Sequence, residues 1–238
     1  MCIPHAIVLA KGLAGFAALV ALASDNDDPK ATSKSKPLPL RGIYPTRRCT
    51  GELALHNVSF TYPSRPTQPV LSNLSLFFPA RETTFVVGGS GSGKSTLARL
   101  LTRVYAPQAG TILLDDVDCA FAAPAWVREH VLCVGGGADG DAPVIDGSVH
   151  ENVVLAAQPG VGVSRTDVVA ACRAALMHGF VTDLPEGYDT RLGAGGVVLS
   201  GGQRQRLAMA RAWLRDPTVL ILGELSWFNG LCDSTWLM

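Results

Sequence analysis

Charge of either sign is scarce and evenly matched: twenty Lys and Arg face twenty Asp and Glu in 238 residues. That balance offers a polyanion no broad attraction, so nucleic acid is set aside as a partner. The six cysteines form no CxxC pair, and none stands at metal-ligand spacing from a histidine. This excludes a zinc ribbon or a redox dithiol and leaves free thiols in a reducing cytosol. There is no internal repeat and no heptad run, so solenoid and coiled-coil architectures drop out. What the chain has in excess is apolar residues, 47% against 17% charged. A membrane-associated segment or a buried partner surface is therefore expected.

The first apolar stretch, "AIVLAKGLAGFAALVALAS" (Ala6–Ser24), is broken only by Lys11. It is short for a bilayer span, and "ALA" before Ser24 meets the small-x-small rule of a signal peptide. Membrane helix, surface helix and signal peptide all stay open. Residues 1–24 read as an apolar helix. Residues 25–50, rich in Ser, Pro, Lys and Asp, read as a flexible linker, and residues 51–238 as one domain.

Within that domain "ELALHNVSFTYP" and "PVLSNLSLFFP" read as a strand pair. "TTFVVGG" reads as a short buried strand, and "KSTLARLLTRVY" as a helix with Leu97, Leu100, Leu101 and Val104 on one face. "GTILLDD" is a further strand. Residues 164–180 form a helix capped by Ser164 or Thr166. Residues 200–216 form another, opened by Ser-Gly-Gly, and "TVLILGEL" is a buried strand. Strands alternating with helices, plus a helical insert, make an α/β fold with a parallel core sheet.

Between a strand and a helix stands Gly88-Gly89-Ser90-Gly91-Ser92-Gly93-Lys94-Ser95-Thr96, which satisfies G-x-x-x-x-G-K-[ST]. Glycines let successive N–H groups approach phosphate oxygens. The helix N-terminus adds partial positive charge. Lys94 would face the β and γ phosphates of a nucleotide, and the hydroxyl of Ser95 would be a ligand of Mg²⁺; the loop alone does not choose among kinases, GTPases and transport ATPases. A Gly/Ser linker would need no lysine and would not join a buried strand to an amphipathic helix.

Further on, "LSGGQRQR" (199–206) resembles the signature of the ATP-binding-cassette transporter family. "VSFTYPSRP" (58–66) and "LPEGYDTRLGAGGVVLSGGQRQRLAMARAWLRDPTVLIL" are similar to its multidrug and peptide exporters, and the likeness runs from Gly51 to Glu224. "IPHAIVLAKGLAG" is more weakly similar to the tail of the membrane helix before such a domain. The resemblance implies a P-loop NTPase core with an antiparallel β subdomain and a helical insert. It implies that Tyr62 stacks on adenine. It also implies that Ser200, Gly201, Gly202 and Gln203 reach the γ-phosphate held by a second nucleotide-binding domain, two domains sandwiching two ATP molecules head to tail. The transmembrane domain of an exporter is the other partner, and the cytosolic face of a membrane the location.

The pattern then departs from the family. After "VLIL" the family has Asp-Glu, whereas this chain has Gly223-Glu224. Glu224 keeps the place of the carboxylate that polarises the attacking water, but the carboxylate serving Mg²⁺ is absent. No glutamine lies between Gln108 and Gln158, where the family's loop carries one, and residues 225–238 do not match. All five histidines precede Glu224, so no switch histidine follows it. The resemblance therefore implies an incomplete domain lacking the C-terminal part of its core, a fragment of a longer exporter. Its "TFVVGG" strand would be left with an unpaired edge, and its hydrolysis would be impaired. A non-catalytic ATP-binding subunit pairing with an intact cassette is the alternative.

Overall fold

The computed structural model describes residues 42–89, 91–135, 143–157 and 162–223, and the backbone of His5–Ala10. In chain order the strands are β1 (His5–Ala10), β2 (Leu53–Thr61), β3 (Pro69–Phe78), β4 (Thr84–Gly88), β5 (Ala109–Leu114), β6 (Val117–Asp118), β7 (Val131–Val134), β8 (Gly147–Ser148), β9 (Arg191–Leu192) and β10 (Val219–Leu222). The helices are α1 (Lys94–Leu101), α2 (Pro124–His130), α3 (Val149–Val154), α4 (Arg165–Ala174), α5 (His178–Thr182) and α6 (Gly201–Arg215), with a 3₁₀ turn at Gly187–Asp189. Two compact units result, one of residues 1–138 and 217–224, the other of residues 139–216 and 225–238.

The first unit holds two sheets. In the antiparallel sheet, ordered β3-β2-β5-β6, Leu53, Leu55, Val58 and Phe60 of β2 all face the core. A strict period of two would turn Val58 outward. A register shift between Leu55 and Val58, with Asn57 at φ 51°, inserts the extra residue that keeps the apolar side inward. Each such side chain contributes about 1.5–3 kcal/mol by leaving water. Leu97, Leu100 and Leu101 of α1 and Trp126 and Val127 of α2 complete this core.

The second sheet is ordered β4-β1-β10-β7. The expected parallel pairing is found between β10 and β7, Val219 opposite Val131 through Leu222 opposite Val134. β1 enters antiparallel to both β4 and β10. Two expectations are corrected here. The backbone of His5–Ala10 is extended, where a helix over 1–24 was expected; the rest of that stretch lies outside the described residues. One edge of "TFVVGG", expected to be unpaired, is taken by β1, from His5 opposite Gly88 to Leu9 opposite Thr84, while β4 stays terminal in the sheet and its other edge has no strand partner among the described residues. Nor is β4 buried throughout: Phe85 and Val87 are about half exposed, at 48% and 56%.

The expected linker over 25–50 is docked at its end. Ile43 N–H donates to Phe121 O and Ala123 N–H to Ile43 O. Asp115, in the turn between β5 and β6, accepts from the N–H groups of Thr50, Gly51 and Glu52 and from the Thr50 hydroxyl. Burial pushes the Asp115 carboxyl up, but the bonds from Thr50 and Glu52 outweigh it and hold the group below its ordinary value. Cys49 beside it is pushed up to about 12, first by burial and then by Asp115, and stays a neutral thiol. Among the described residues Cys49, Cys119, Cys133 and Cys172 are free.

In the second unit α6 packs against α4 and α3. The helix expected over 164–180 breaks after Ala174. Leu176 takes φ 53° and Met177 turns into the interior, so α4 and α5 are separate. Asn152, fully buried, donates to the carbonyls of Ile145 and Ser148 and accepts from Ile145 N–H. Arg211 closes this knot, donating to Asn152 O and Pro143 O, each at 2.8 Å. Among the described residues no helix is long and apolar enough to cross a membrane.

Candidate nucleotide-binding site

β4 delivers the chain into the glycine loop, and α1 takes it away at Lys94. The residue before α1, Gly93, has φ 88° and ψ 9°, a left-handed conformation. A Cβ there would come within 2.7 Å of Leu71 Cδ2, so both backbone and packing require glycine. Around Gly89 and Gly91 a Cβ would meet nothing within 4 Å: the loop's two middle glycines border open space. The N-terminus of α1 has no side-chain cap, whereas serines cap α3, α4 and α6. A helix start without a capping side chain, next to open loop space, suits an anion.

Lys94 is buried, 6% exposed, yet its ammonium stays inside the loop. Nζ donates to Gly88 O at 2.8 Å, Gly89 O at 2.5 Å and Ser92 Oγ at 3.1 Å. The cation is held by loop carbonyls that a phosphate would replace. Ser95 follows on the first turn of α1, and Thr96 is buried beside it.

Tyr62 lies just past the end of β2 and reaches this helix. Its hydroxyl is 2.9 Å from Thr96 Oγ1 and accepts from Arg99 Nη1, also at 2.9 Å. The ring is 8% exposed, met edge-on by Phe60 and Tyr105, with the Arg99 guanidinium 5.9 Å from its centroid. Gln108 fixes the strand end before it: Thr61 N–H donates to Gln108 Oε1 and Gln108 Nε2 to Thr61 O.

β10 is buried along its whole length and is followed by Gly223, whose N–H donates to Val134 O. No side chain stands there to serve a cation. Among the described residues no group of three His, Cys, Asp or Glu is placed to hold a metal ion.

In the second unit Ser200 caps α6 in a reciprocal box. Ser200 Oγ accepts from Gln203 N–H at 3.3 Å, and Gln203 Oε1 accepts from Ser200 N–H at 2.7 Å. The side chains of the signature serine and glutamine are therefore both engaged with the helix start. Beside them a Cβ on Gly201 would meet nothing within 4 Å.

Residues 71–226 match the model of a protein family described as ABC transporter. The chain belongs to that family. It is 40% identical over 184 residues to Multidrug resistance protein 3 of Entamoeba histolytica, covering 77% of this chain and 14% of that protein. Against ABC transporter B family member 19 of Arabidopsis thaliana it is 42% identical over 174 residues, 73% of this chain and 13% of the other. Against the mitochondrial potassium channel ATP-binding subunit of Pongo abelii it is 42% identical over 190 residues, 79% and 26%. A solved structure of a bacterial Atm1-family ABC exporter with ATP bound superposes with TM-score 0.60 at 33% identity, covering 72% of this chain and 29% of that one. The cassette is an exporter-type nucleotide-binding domain with the P-loop NTPase fold. It spans only a small part, 13–26%, of these curated relatives.

The structure brings Gly88, Gly89, Gly91, Ser92, Gly93, Lys94, Ser95 and Thr96 together at one strand-to-helix junction, with Tyr62 against its back. Ser200–Gln203 stand at a helix start in the other unit. Ser90 and Glu224 lie outside the described residues. Sequence reasoning missed Arg99 and Gln108, which fix Tyr62 and the strand before it. An arginine on a helix reads as a solvated face, and only the fold shows what it touches.

Proposed function

We propose that this cassette binds MgATP in the loop from Gly88 to Thr96, as part of an exporter at the cytosolic face of a membrane. The observation that carries the reading is the buried Lys94 ammonium, held by loop carbonyls beside the open space around Gly89 and Gly91. Lys94 and the loop N–H groups hold the terminal phosphates, and Ser95 Oγ is a ligand of Mg²⁺. Bound Mg²⁺ neutralises charge on the phosphates. Adenine stacks on Tyr62 once Arg99 leaves the ring. The N-terminus of α6, with Ser200, Gly201, Gly202 and Gln203, faces the γ-phosphate held by a second nucleotide-binding domain.

Hydrolysis is slow in this reading. Phosphoryl transfer depends on positioning and charge stabilisation, and losing one such group costs about 10²–10³ in rate. Gly223 leaves the metal without its carboxylate, and residues 109–157 contain no glutamine. Glu224 alone keeps its place, as the group that would polarise water. These same two departures favour a second reading, a non-catalytic ATP-binding subunit that pairs with an intact cassette. Turnover measured on the chain and on Glu224→Gln tests the assignment: both should be equally slow, and brisk hydrolysis lost in Glu224→Gln would overturn it. Adding an intact cassette tests the second reading, which expects a change in the partner's turnover.

A further inference from the structure

Thr61 is the last residue of β2 and carries the chain into Tyr62. The sheet itself gives this strand end little to hold. Opposite Thr61 on β3 stands Pro69, which has no N–H to give a ladder. The pairing of β2 with β5 ends two residues earlier, at Ser59 opposite Ala109. Left to itself, a strand end so placed would fray, its N–H and C=O turning to water.

Gln108 fills this gap. Its backbone N–H donates to Ser59 O at 3.0 Å, just past the last pair with β5. Its side chain then reaches Thr61: Nε2 donates to Thr61 O at 2.6 Å, and Oε1 accepts from Thr61 N–H at 2.8 Å. A carboxamide is a peptide group in miniature, planar, with an acceptor and a donor side by side. Here it stands in for a further β5 residue and prolongs the ladder to Thr61. The fit is particular to glutamine. Glutamate, of the same length, would set a carboxylate oxygen against the Thr61 carbonyl, and asparagine carries the same group on a shorter arm.

The connection that bears Gln108 also holds the ring. Tyr105 meets the Tyr62 ring edge-on, with centroids 5.4 Å apart, and its N–H donates to Arg99 O on α1. The stretch from Tyr105 to Gln108 therefore grips Tyr62 twice, by its ring and by the peptide before it. On the far side Tyr62 O accepts from Arg65 N–H at 2.9 Å, closing the turn that leads back to β3.

We infer that Gln108 is a positioning residue for the nucleotide base, an inference that rests on the reading that MgATP binds with adenine on Tyr62. Gln108 itself touches no nucleotide. It fixes the backbone from which the Tyr62 ring stands, and so the span from that ring to the phosphate loop. Base and phosphates belong to one molecule, so a ring free to wander loses stacking while Lys94 and the loop keep their hold. Loss of the clamp weakens what the base contributes and spares what the phosphates contribute.

Titrations of ATP and of inorganic triphosphate on the full chain, each with Mg²⁺, separate the two contributions. In Gln108→Glu, ATP affinity should fall about three- to tenfold, while triphosphate affinity stays within about twofold of the natural chain's. Gln108→Met, of similar length and without charge, should behave alike, and it decides the matter where Gln108→Glu does not fold. Gln108 is exposed, so neither change disturbs the core. On a Tyr62→Ala background, Gln108→Met should have no further effect on ATP, because it acts through the ring. Unchanged ATP affinity in the Gln108 variants, equal losses for ATP and triphosphate, or an undiminished effect without Tyr62 would overturn the inference. Failure of the underlying reading looks different. The natural chain would then bind neither ligand, or Tyr62→Ala would bind ATP as tightly as the natural chain, and the role of Gln108 would fall with it.

Discussion

The hydroxyl of Tyr62 lies 2.9 Å from the hydroxyl of Thr96, tying the end of the first core strand to the second turn-forming residue after Lys94. Arg99, one turn further along α1, donates to the same oxygen. Through these two bonds the aromatic residue assigned to adenine also sets the position of the helix that receives phosphate.

Tyr62→Phe separates the two roles. It keeps the ring and deletes the latch, leaving Thr96 and Arg99 short of a partner. The cost should be about 1–3 kcal/mol in denaturant unfolding, with ATP affinity falling less than in Tyr62→Ala. Equal affinity losses in the two variants would show that the ring itself contributes nothing to nucleotide binding.

Gly93→Ala asks the backbone to hold φ 88° with a side chain that collides with Leu71. A loss of about 1–3 kcal/mol is expected, together with weaker phosphate binding. A calorimetric melt and an ATP titration of the same variant read the two effects separately. Unaltered stability would mean that the loop before α1 is not held in the left-handed conformation.

Asp115 gives the fold a dependence on acid. Its folded carboxyl titrates below its ordinary value, about 3.9 in an unfolded chain. The unfolded state therefore takes up the proton first as pH falls. Stability from this group is complete above about pH 5 and is lost as pH drops through the folded value. Asp115→Asn should unfold more easily at pH 7 and show a shallower loss between pH 5 and pH 3. Identical slopes for the two proteins would remove Asp115 from the account.

Ser200→Ala should cost about 0.5–2 kcal/mol, since it opens the reciprocal cap on α6. Binding of ATP to the isolated chain should barely change, because in the proposed arrangement this helix start serves the nucleotide of the second domain. A large loss of ATP affinity in a monomeric sample would contradict that arrangement.

Much of this was legible in the sequence, and the exceptions have physical causes. The loop from Gly88 to Thr96 and the cap at Ser200 were readable because their chemistry is local: glycines, a lysine and a serine at fixed spacing. β2 and β3 were readable from alternation even though a bulge at Asn57 interrupts it. α1 was read too long. Val104 continues its apolar stripe yet is 66% exposed, because the Thr102 hydroxyl bonds to Ala98 O and Arg103 turns to φ 57°, ending the helix. β1 was misread because a short apolar run has no period that tells helix from strand; its neighbours decide, and they lie far along the chain. The clasp of Asp115 on residues 50–52 and the knot around Asn152 are long-range or buried arrangements with no local signature.

The most direct test of the central claim is an ATP titration of the folded chain with Mg²⁺, beside Lys94→Ala. Lys94 supplies the full positive charge at the junction of β4 and α1, so its loss should weaken binding by about a hundredfold or more, some 2.7 kcal/mol. Saturable binding by the natural chain and its loss in a Lys94→Ala protein of unchanged fold is the predicted result. A folded natural chain that ignores ATP, or a Lys94→Ala chain that binds it equally well, would contradict the claim.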